Sequence, residues 1–223
     1  MGGFWIYFLI MLKFFYKIFH NYGIAIIVLS AAIKLLFSPL THMSFDSMRR
    51  MQAVQPKMKS LQEQHKNDPQ KLNKEVIELY KKHKVNPLGG CLPMVLQMPI
   101  FIALYQTFSH AMELRGAPFF GWVKDLSEPD QFFLMPFTLP AIGNQINILP
   151  IIMIGTMLWQ QKLTPQTAAT KDQEMMMLFT PVIFGFIFYS LPSGLVIYWI
   201  VNNLLTIGHQ LLMKKFHPVQ PVH

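Results

Sequence analysis

The chain has 223 residues, 52% of them hydrophobic and only 13% charged, with a mean hydropathy of +0.32. That balance argues against an ordinary soluble domain and for a multi-span membrane protein. The formal net charge is +8, unevenly placed, and the single cysteine, Cys91, excludes an internal disulfide and a cysteine-based metal cluster.

The N-terminal run Phe4 to Phe19 is apolar but carries Lys13 and Lys17, and with His20 these lie at i, i+4 and i+7 on one helical stripe. It lacks the basic start and small-residue cleavage site of a signal peptide, and Ile6 stands where myristoylation favours Ser or Thr. Residues 1–21 are therefore expected to be an amphipathic helix lying in the membrane interface, broken by Asn21 and Gly23. Residues 22–40 read as a first span, closed by Pro39.

Residues 41–87 change character, with ten Lys or Arg against five Asp or Glu. Met48, Met51, Met58 and Leu61 make one helical stripe; Leu72, Val76, Leu79 and Tyr80 make another. Between them Asp68 is a good N-cap and Pro69 suits a first helical position. The expectation is a helical hairpin paired through narrow apolar seams and ended by "VNPLGG".

Residues 88–111 are a second span, opened by Cys91 as a packing residue and containing Pro93, Gln97 and Pro99. Residues 112–147 form a connecting segment with "NQIN" as a loop, and 148–163 a third span. A loop at 164–173 leads to a fourth span at 174–191, and the tight turn "LPSG" predicts an antiparallel pair with a fifth at 194–213. A short tail, 214–223, follows. The fold class expected is an all-α membrane protein: five transmembrane helices, an interfacial amphipathic helix and a cytoplasmic helical hairpin.

Lys and Arg set sidedness. The hairpin, the loop flanked by Lys162 and Lys171, and the tail with Lys214 and Lys215 all fall on one side of five spans. That side is expected to be the cytoplasm. The segment 112–147, which has only Arg115 and Lys124 beside Glu113, Asp125, Glu128 and Asp130, falls outside.

Enzyme signatures are missing. There is no "HExxH", "GxSxG" or phosphate-cradling glycine loop, and Ser190 and Ser193 sit at a turn without a base nearby in sequence. No enzymatic activity, cofactor or metal is expected.

The sharp feature is Lys34, a charge inside an apolar helix with no aspartate or glutamate in the interior of the spans to pair it, Glu174 lying at the very start of the fourth. Two readings stay open. Lys34 is six residues from Leu40, about 9 Å of helix, so its stem can snorkel towards the inner surface. Alternatively it faces a wet cavity inside the bundle. Ser30 shares its face, and Gln97, Tyr105, Thr180, Tyr198, Trp199, Asn202 and Asn203 offer further groove-lining groups on three other spans. Interhelical hydrogen bonding explains the asparagines and Gln97 equally well.

The sixteen methionines are mostly core filler, but Met43, Met48, Met51 and Met58 on the hairpin suit an adaptable binding surface. The basic residues Arg49, Arg50, Lys57, Lys59, Lys81 and Lys82 suit either anionic lipid or an acidic cytoplasmic partner such as ribosomal RNA.

The stretch "QPKMKSLQEQHKNDPQKLNKEVIELYKKHKVNPLGGCLPMVLQMPIFIALYQ" resembles the YidC family of membrane protein insertases, relatives of the mitochondrial Oxa and chloroplast Alb proteins. "ELRGAPFFGWVKDLS", "QQKLTP" and "LPSGLVIYWIVNNLLTI" follow in the family's order. The resemblance implies a five-helix core with a hydrophilic groove open to the cytoplasm and closed outside. It implies a positive residue in the first span that holds the acidic part of a substrate. That residue is usually arginine; here the matching position is Lys34, which keeps the charge and loses the planar fork. It further implies an insertase and chaperone of the bacterial cytoplasmic (inner) membrane with its C-terminus in the cytoplasm. Implied partners are nascent membrane proteins, the ribosome, the Sec translocon, the signal recognition particle pathway and anionic lipids, with no DNA. Larger members carry an additional N-terminal span and an extracytoplasmic domain, and some a long basic tail; the 223 residues contain none of these, as either a piece of a longer chain or a short member.

Two rival functions use the same residues. A small transporter or channel would use Lys34 as an anion site and would pass solute in liposomes; no internal repeat supports it. A membrane scaffold would leave Lys34 snorkelling and replaceable by a neutral residue.

Overall fold

The computed structural model describes residues 3–66, 68–83, 85–86, 92–139, 143–164 and 171–216. The packing expectation for Cys91, the stop at "PLGG", most of the loop 164–173 and the end of the tail lie outside them. The helices are α1 (Phe4–Phe19), α2 (Tyr22–Leu36), α3 (Ser38–Gln64), α4 (Pro69–Lys82), α5 (Leu92–His110), α6 (Leu149–Leu163), α7 (Lys171–Phe188) and α8 (Ser193–Phe216), with a 3-10 turn at Met112–Leu114.

α1 stops because His20 turns left-handed, at φ 53°, and closes the last turn on the Tyr16 carbonyl. Asn21 then caps α2, its Oδ1 accepting from Ile24 N at 3.1 Å. The two helices meet at 120°, with the Tyr16 and Tyr22 rings stacked 4.0 Å apart. Of the two expected breakers, Asn21 lies at the break and Gly23 does not: Gly23 lies inside α2, where a Cβ would collide with the Phe119 ring. α2 ends at Leu36 rather than Leu40, because Pro39 sits in the first turn of α3.

α3 and α4 form the expected hairpin. Asp68 accepts from Lys71 N at 3.0 Å, and Pro69 opens α4. The seam buries Met51, Val54 and Val85 against Leu79 and Tyr80, and Met58 is buried beside them. Tyr80 Oη donates to Met58 Sδ at 3.0 Å, and burial raises the Tyr80 phenol above its ordinary pKa. Met48, Leu61, Leu72 and Val76 stay half-buried at its edges.

One core joins α1 (Phe8, Leu12), α2 (Ile26, Leu29), α5 (Leu104, Phe108), α6 (Met153) and α8 (Leu195 to Tyr198). α8 is the central helix, packed chiefly on α6 and α2. The expected α7–α8 pair needs correction: α7 packs chiefly on α6. Gly185 makes this possible, since any Cβ there would strike Ile154. α7 reaches α8 through aromatic rings, Phe184 and Phe188 lying 5.5 and 5.0 Å from Trp199.

The segment between α5 and α6 holds a strand pair, and the "NQIN" expected as a loop runs into its second strand. β1 (Phe133–Leu139) runs antiparallel to β2 (Gly143–Ile146), and the register slips between Leu134 and Leu139, around Pro136. Below it the buried Asp130 accepts from Ile148 N and Leu149 N at 2.9 and 3.2 Å, capping α6, and from Trp122 Nε1 at 2.8 Å. Ser193 is buried as well, donating to the Asp125 carbonyl at 2.8 Å, while its N–H bonds the Glu128 carbonyl at 2.7 Å. The α7–α8 turn is thereby fastened to this segment.

Among the described residues, one helix (Ser193–Lys215) is long and apolar enough to cross a membrane by itself. The bent pair Trp5–Phe19 and Tyr22–Leu36 passes only jointly. α2 and α6 have 15 residues each, about 22 Å of helix.

Candidate functional site: a polar stripe on the central helix

α8 spaces Tyr198, Asn202 and Thr206 four residues apart, so they share one stripe about 12 Å long. Lys34, on α2, donates from Nζ to Thr206 Oγ1 at 2.7 Å. The Thr206 hydroxyl in turn donates to the Asn202 carbonyl at 2.6 Å. Lys34 is half-buried, so its ammonium lies between helices rather than reaching freely into water. At the other end of the stripe Gln97, on α5, donates from Nε2 to the Tyr198 hydroxyl at 2.9 Å. Three helices thus meet through polar side chains inside an apolar bundle.

A neighbouring stripe on α8 faces α6. Asn203 Nδ2 donates to Thr156 Oγ1 at 3.0 Å, and Gln210 Nε2 to Thr164 Oγ1 at 2.8 Å. These bonds clamp α8 to α6, the interhelical role that sequence alone could not separate from groove lining.

The remaining expected groove residues divide. Ser30 is buried on the Lys34 side of α2, but its hydroxyl turns back to its own helix, donating to the Ile26 carbonyl at 2.7 Å. Asn202 is half-buried between Tyr198 and Thr206. Trp199 belongs instead to an aromatic cluster with Phe101, Phe184 and Phe188. Tyr105 is 40% exposed on the outer face of α5, with Met94, Met98 and Ile102. Thr180 donates to the Met176 carbonyl of its own helix at 2.7 Å and joins none of these bonds. On the hairpin, Arg50, Lys57, Lys59, Lys81 and Lys82 are exposed and Arg49 is half-buried.

Thr206 was missed by the sequence reading, although it continues the Tyr198–Asn202 spacing. His209 was missed too. It lies one turn beyond Thr206, its ring 5.5 Å from Phe45 and 6.2 Å from His42. Its buried Nδ1 finds no hydrogen-bond partner among the described residues.

At the α5 end of the bundle, Lys13 Nζ meets Glu113 Oε1 at 2.6 Å. The bond holds the Glu113 carboxyl below its usual pKa and lifts Lys13 above its own. Thr107 Oγ1 donates to the Trp5 carbonyl at 3.2 Å, fastening α1 to the same end. Burial works to raise the Asp125 pKa, but donation from the Ser127 hydroxyl and N–H outweighs it and holds the carboxyl low.

The family model described as "60Kd inner membrane protein" matches residues 14–220. A "Membrane protein insertase YidC" of Pelobacter propionicus is 51% identical over 92% of this chain and 37% of its own length. One of Geobacter metallireducens is 49% identical over 92% of this chain and 35% of its own. A solved structure titled "Active YidC insertase crystal structure with the first transmembrane domain resolved" superposes with a TM-score of 0.71 at 25% identity, covering 92% of this chain and 45% of that one. The chain therefore spans a little over a third of these curated relatives.

Proposed function

The chain belongs to the 60Kd inner membrane protein family, and on that premise we propose that it is a membrane protein insertase and chaperone that moves short polar segments of nascent membrane proteins across the bilayer. The curated relatives carry the name insertase. In this proposal α2, α5, α6, α7 and α8 are five spans, α1 lies in the outer interface, and the basic α3–α4 hairpin and the C-terminus are cytoplasmic. Lys and Arg placement supports that sidedness. The hairpin's exposed lysines and Arg50 are proposed to meet the ribosome, the Sec translocon, targeting factors or anionic lipid.

The observation that carries the proposal is the stripe from Tyr198 to Thr206 with Lys34 bonded at its end. A charge at the bilayer centre costs about 3 kcal/mol on insertion scales. A hydrated polar stripe with an ammonium lowers that cost for a segment bearing carboxylates. The substrate's own apolar span then moves into lipid by hydrophobic transfer. No covalent chemistry is needed.

Photocrosslinking tests this. A crosslinker at Asn202 should capture a ribosome-bound nascent membrane protein, and one at Leu204, on the exposed side of α8, should not. Equal capture at both positions rejects the groove.

A further inference from the structure

From Gln131 to Asn147 the chain carries no charged residue. Within it, Phe132, Phe133, Leu134 and Phe137 are 49%, 55%, 57% and 58% exposed. A two-stranded ribbon is marginal in water on its own, and a cluster of large exposed apolar side chains signals a surface that is covered.

The base of the ribbon is fixed. Phe132 N bonds the Ile146 carbonyl at 2.9 Å, and the Phe132 ring stands edge-on to Trp122 at 5.2 Å. Asn147 Nδ2 donates to the Tyr189 carbonyl at 2.8 Å, and Tyr189 Oη donates to the Gln145 carbonyl at 2.7 Å. The hairpin thus springs from where α6 begins and α7 ends. Both helices carry exposed apolar side chains there, Ile151 and Ile152 on α6 and Phe186 and Ile187 on α7. In an inner membrane protein those side chains meet lipid, and the hairpin's exposed residues extend that surface along the chain.

We infer that the β1–β2 hairpin is a membrane-interface element, laying Phe132, Phe133, Leu134 and Phe137 into the headgroup–acyl boundary at this end of the bundle, with bilayer lipid as its occupant. Lack of charge disfavours a partner recognised by ion pairs. The outer edges of a two-stranded ribbon keep unpaired N–H and C=O groups, which are not tolerated in the hydrocarbon centre. Water at the boundary satisfies them, so the ribbon stays shallow. Pro136 removes one such donor. The inference needs only residence in a membrane and stands apart from the insertase mechanism.

The test uses the full chain in phosphatidylethanolamine–phosphatidylglycerol liposomes, with Cys91 replaced by serine. Nitroxide labels go on Phe133→Cys, Phe137→Cys and, as a control in the same segment, Lys124→Cys. The ratio of oxygen to nickel-chelate collision should be severalfold higher at both phenylalanine positions than at 124, and indifferent to the phosphatidylglycerol fraction. Ratios equal to that at 124 place the hairpin in water and overturn the inference. Suppression of both collision rates also overturns it: with spin–spin broadening the cover is a second copy, and without broadening it is protein of the same chain or another.

Discussion

Lys34 and Thr206, 172 positions apart in the chain, are joined by a 2.7 Å hydrogen bond between α2 and α8. The bond leaves the ammonium two further donors, and the hydroxyl spends its own proton on the Asn202 carbonyl. Thr206 therefore positions the charge beside the polar stripe. Thr206→Val keeps the shape and removes the acceptor. A hydrogen bond to a charged group contributes about 1.5–3 kcal/mol, so insertion of a substrate with an acidic outer segment should fall roughly tenfold at the lower bound. Thr206→Ser should restore it. An insertion assay with both variants, at matched protein levels, checks this.

Asp130 anchors another prediction. One buried carboxylate oxygen accepts from Trp122 and from the first two N–H groups of the α6 start. Asp130→Ala leaves those donors unpaired and should lower thermal stability in detergent by about 2–3 kcal/mol. Asp130→Asn keeps an acceptor oxygen and should cost less. A smaller loss for Ala than for Asn would contradict the capping role.

Much of this was legible in the sequence, for physical reasons. Asp68–Pro69 and the two apolar stripes describe a helical hairpin locally, and the α3–α4 seam forms through Met51, Met58, Leu79 and Tyr80. Lys34 and Gln97 stand out because any polar group inside an apolar run is costly. Thr206 did not stand out, because a helical threonine usually satisfies itself on the carbonyl four residues back, and only tertiary packing brings Lys34 to it. Tyr105 lies on the α5 face with Met94, Met98 and Ile102, a placement that depends on how α5 is rotated against α8 and that its position in the sequence does not encode. The β1–β2 pair was hidden by Pro136 and a slipped register, which erase the alternation that marks strands.

The Lys13–Glu113 bond gives a pH expectation. Glu113 is held low, so its contribution is present above its unfolded pKa and lost as pH falls through the lower folded value. Lys13 is held high, so its contribution is present below its unfolded pKa and lost as pH rises through the higher folded value. The contact of α1 with this segment should therefore be constant from about pH 5 to 9 and loosen only outside that window. Hydrogen exchange along α1 reads it directly. Both groups are exposed, so Lys13→Met should change global stability little.

Sidedness is testable on exposed positions. In a Cys91→Ser background, Lys124→Cys should react with a membrane-impermeant maleimide added outside intact cells. Lys59→Cys should react only after the membrane is opened. The reverse pattern would sink the proposed orientation.

The strongest separation between a working charge and a snorkelling one comes from Lys34 itself. If charge is what it supplies, Lys34→Arg should retain or improve insertion, because guanidinium stays cationic and grips a carboxylate with two parallel bonds. Thr206 Oγ1 can still accept from the longer side chain. Lys34→Ala removes the counter-charge and should damage a substrate with an acidic outer segment most. Lys34→Glu should be worse, through repulsion at short range inside the bundle. A second substrate, identical except that its outer carboxylates are neutralised, isolates the electrostatic part: its insertion should be little changed by Ala or Glu. Equal losses for both substrates would keep the polar stripe as a path and reject Lys34 as the carboxylate's partner. Normal insertion by all three variants, with unaltered expression, would mean that Lys34 only bonds Thr206 to hold α2 against α8.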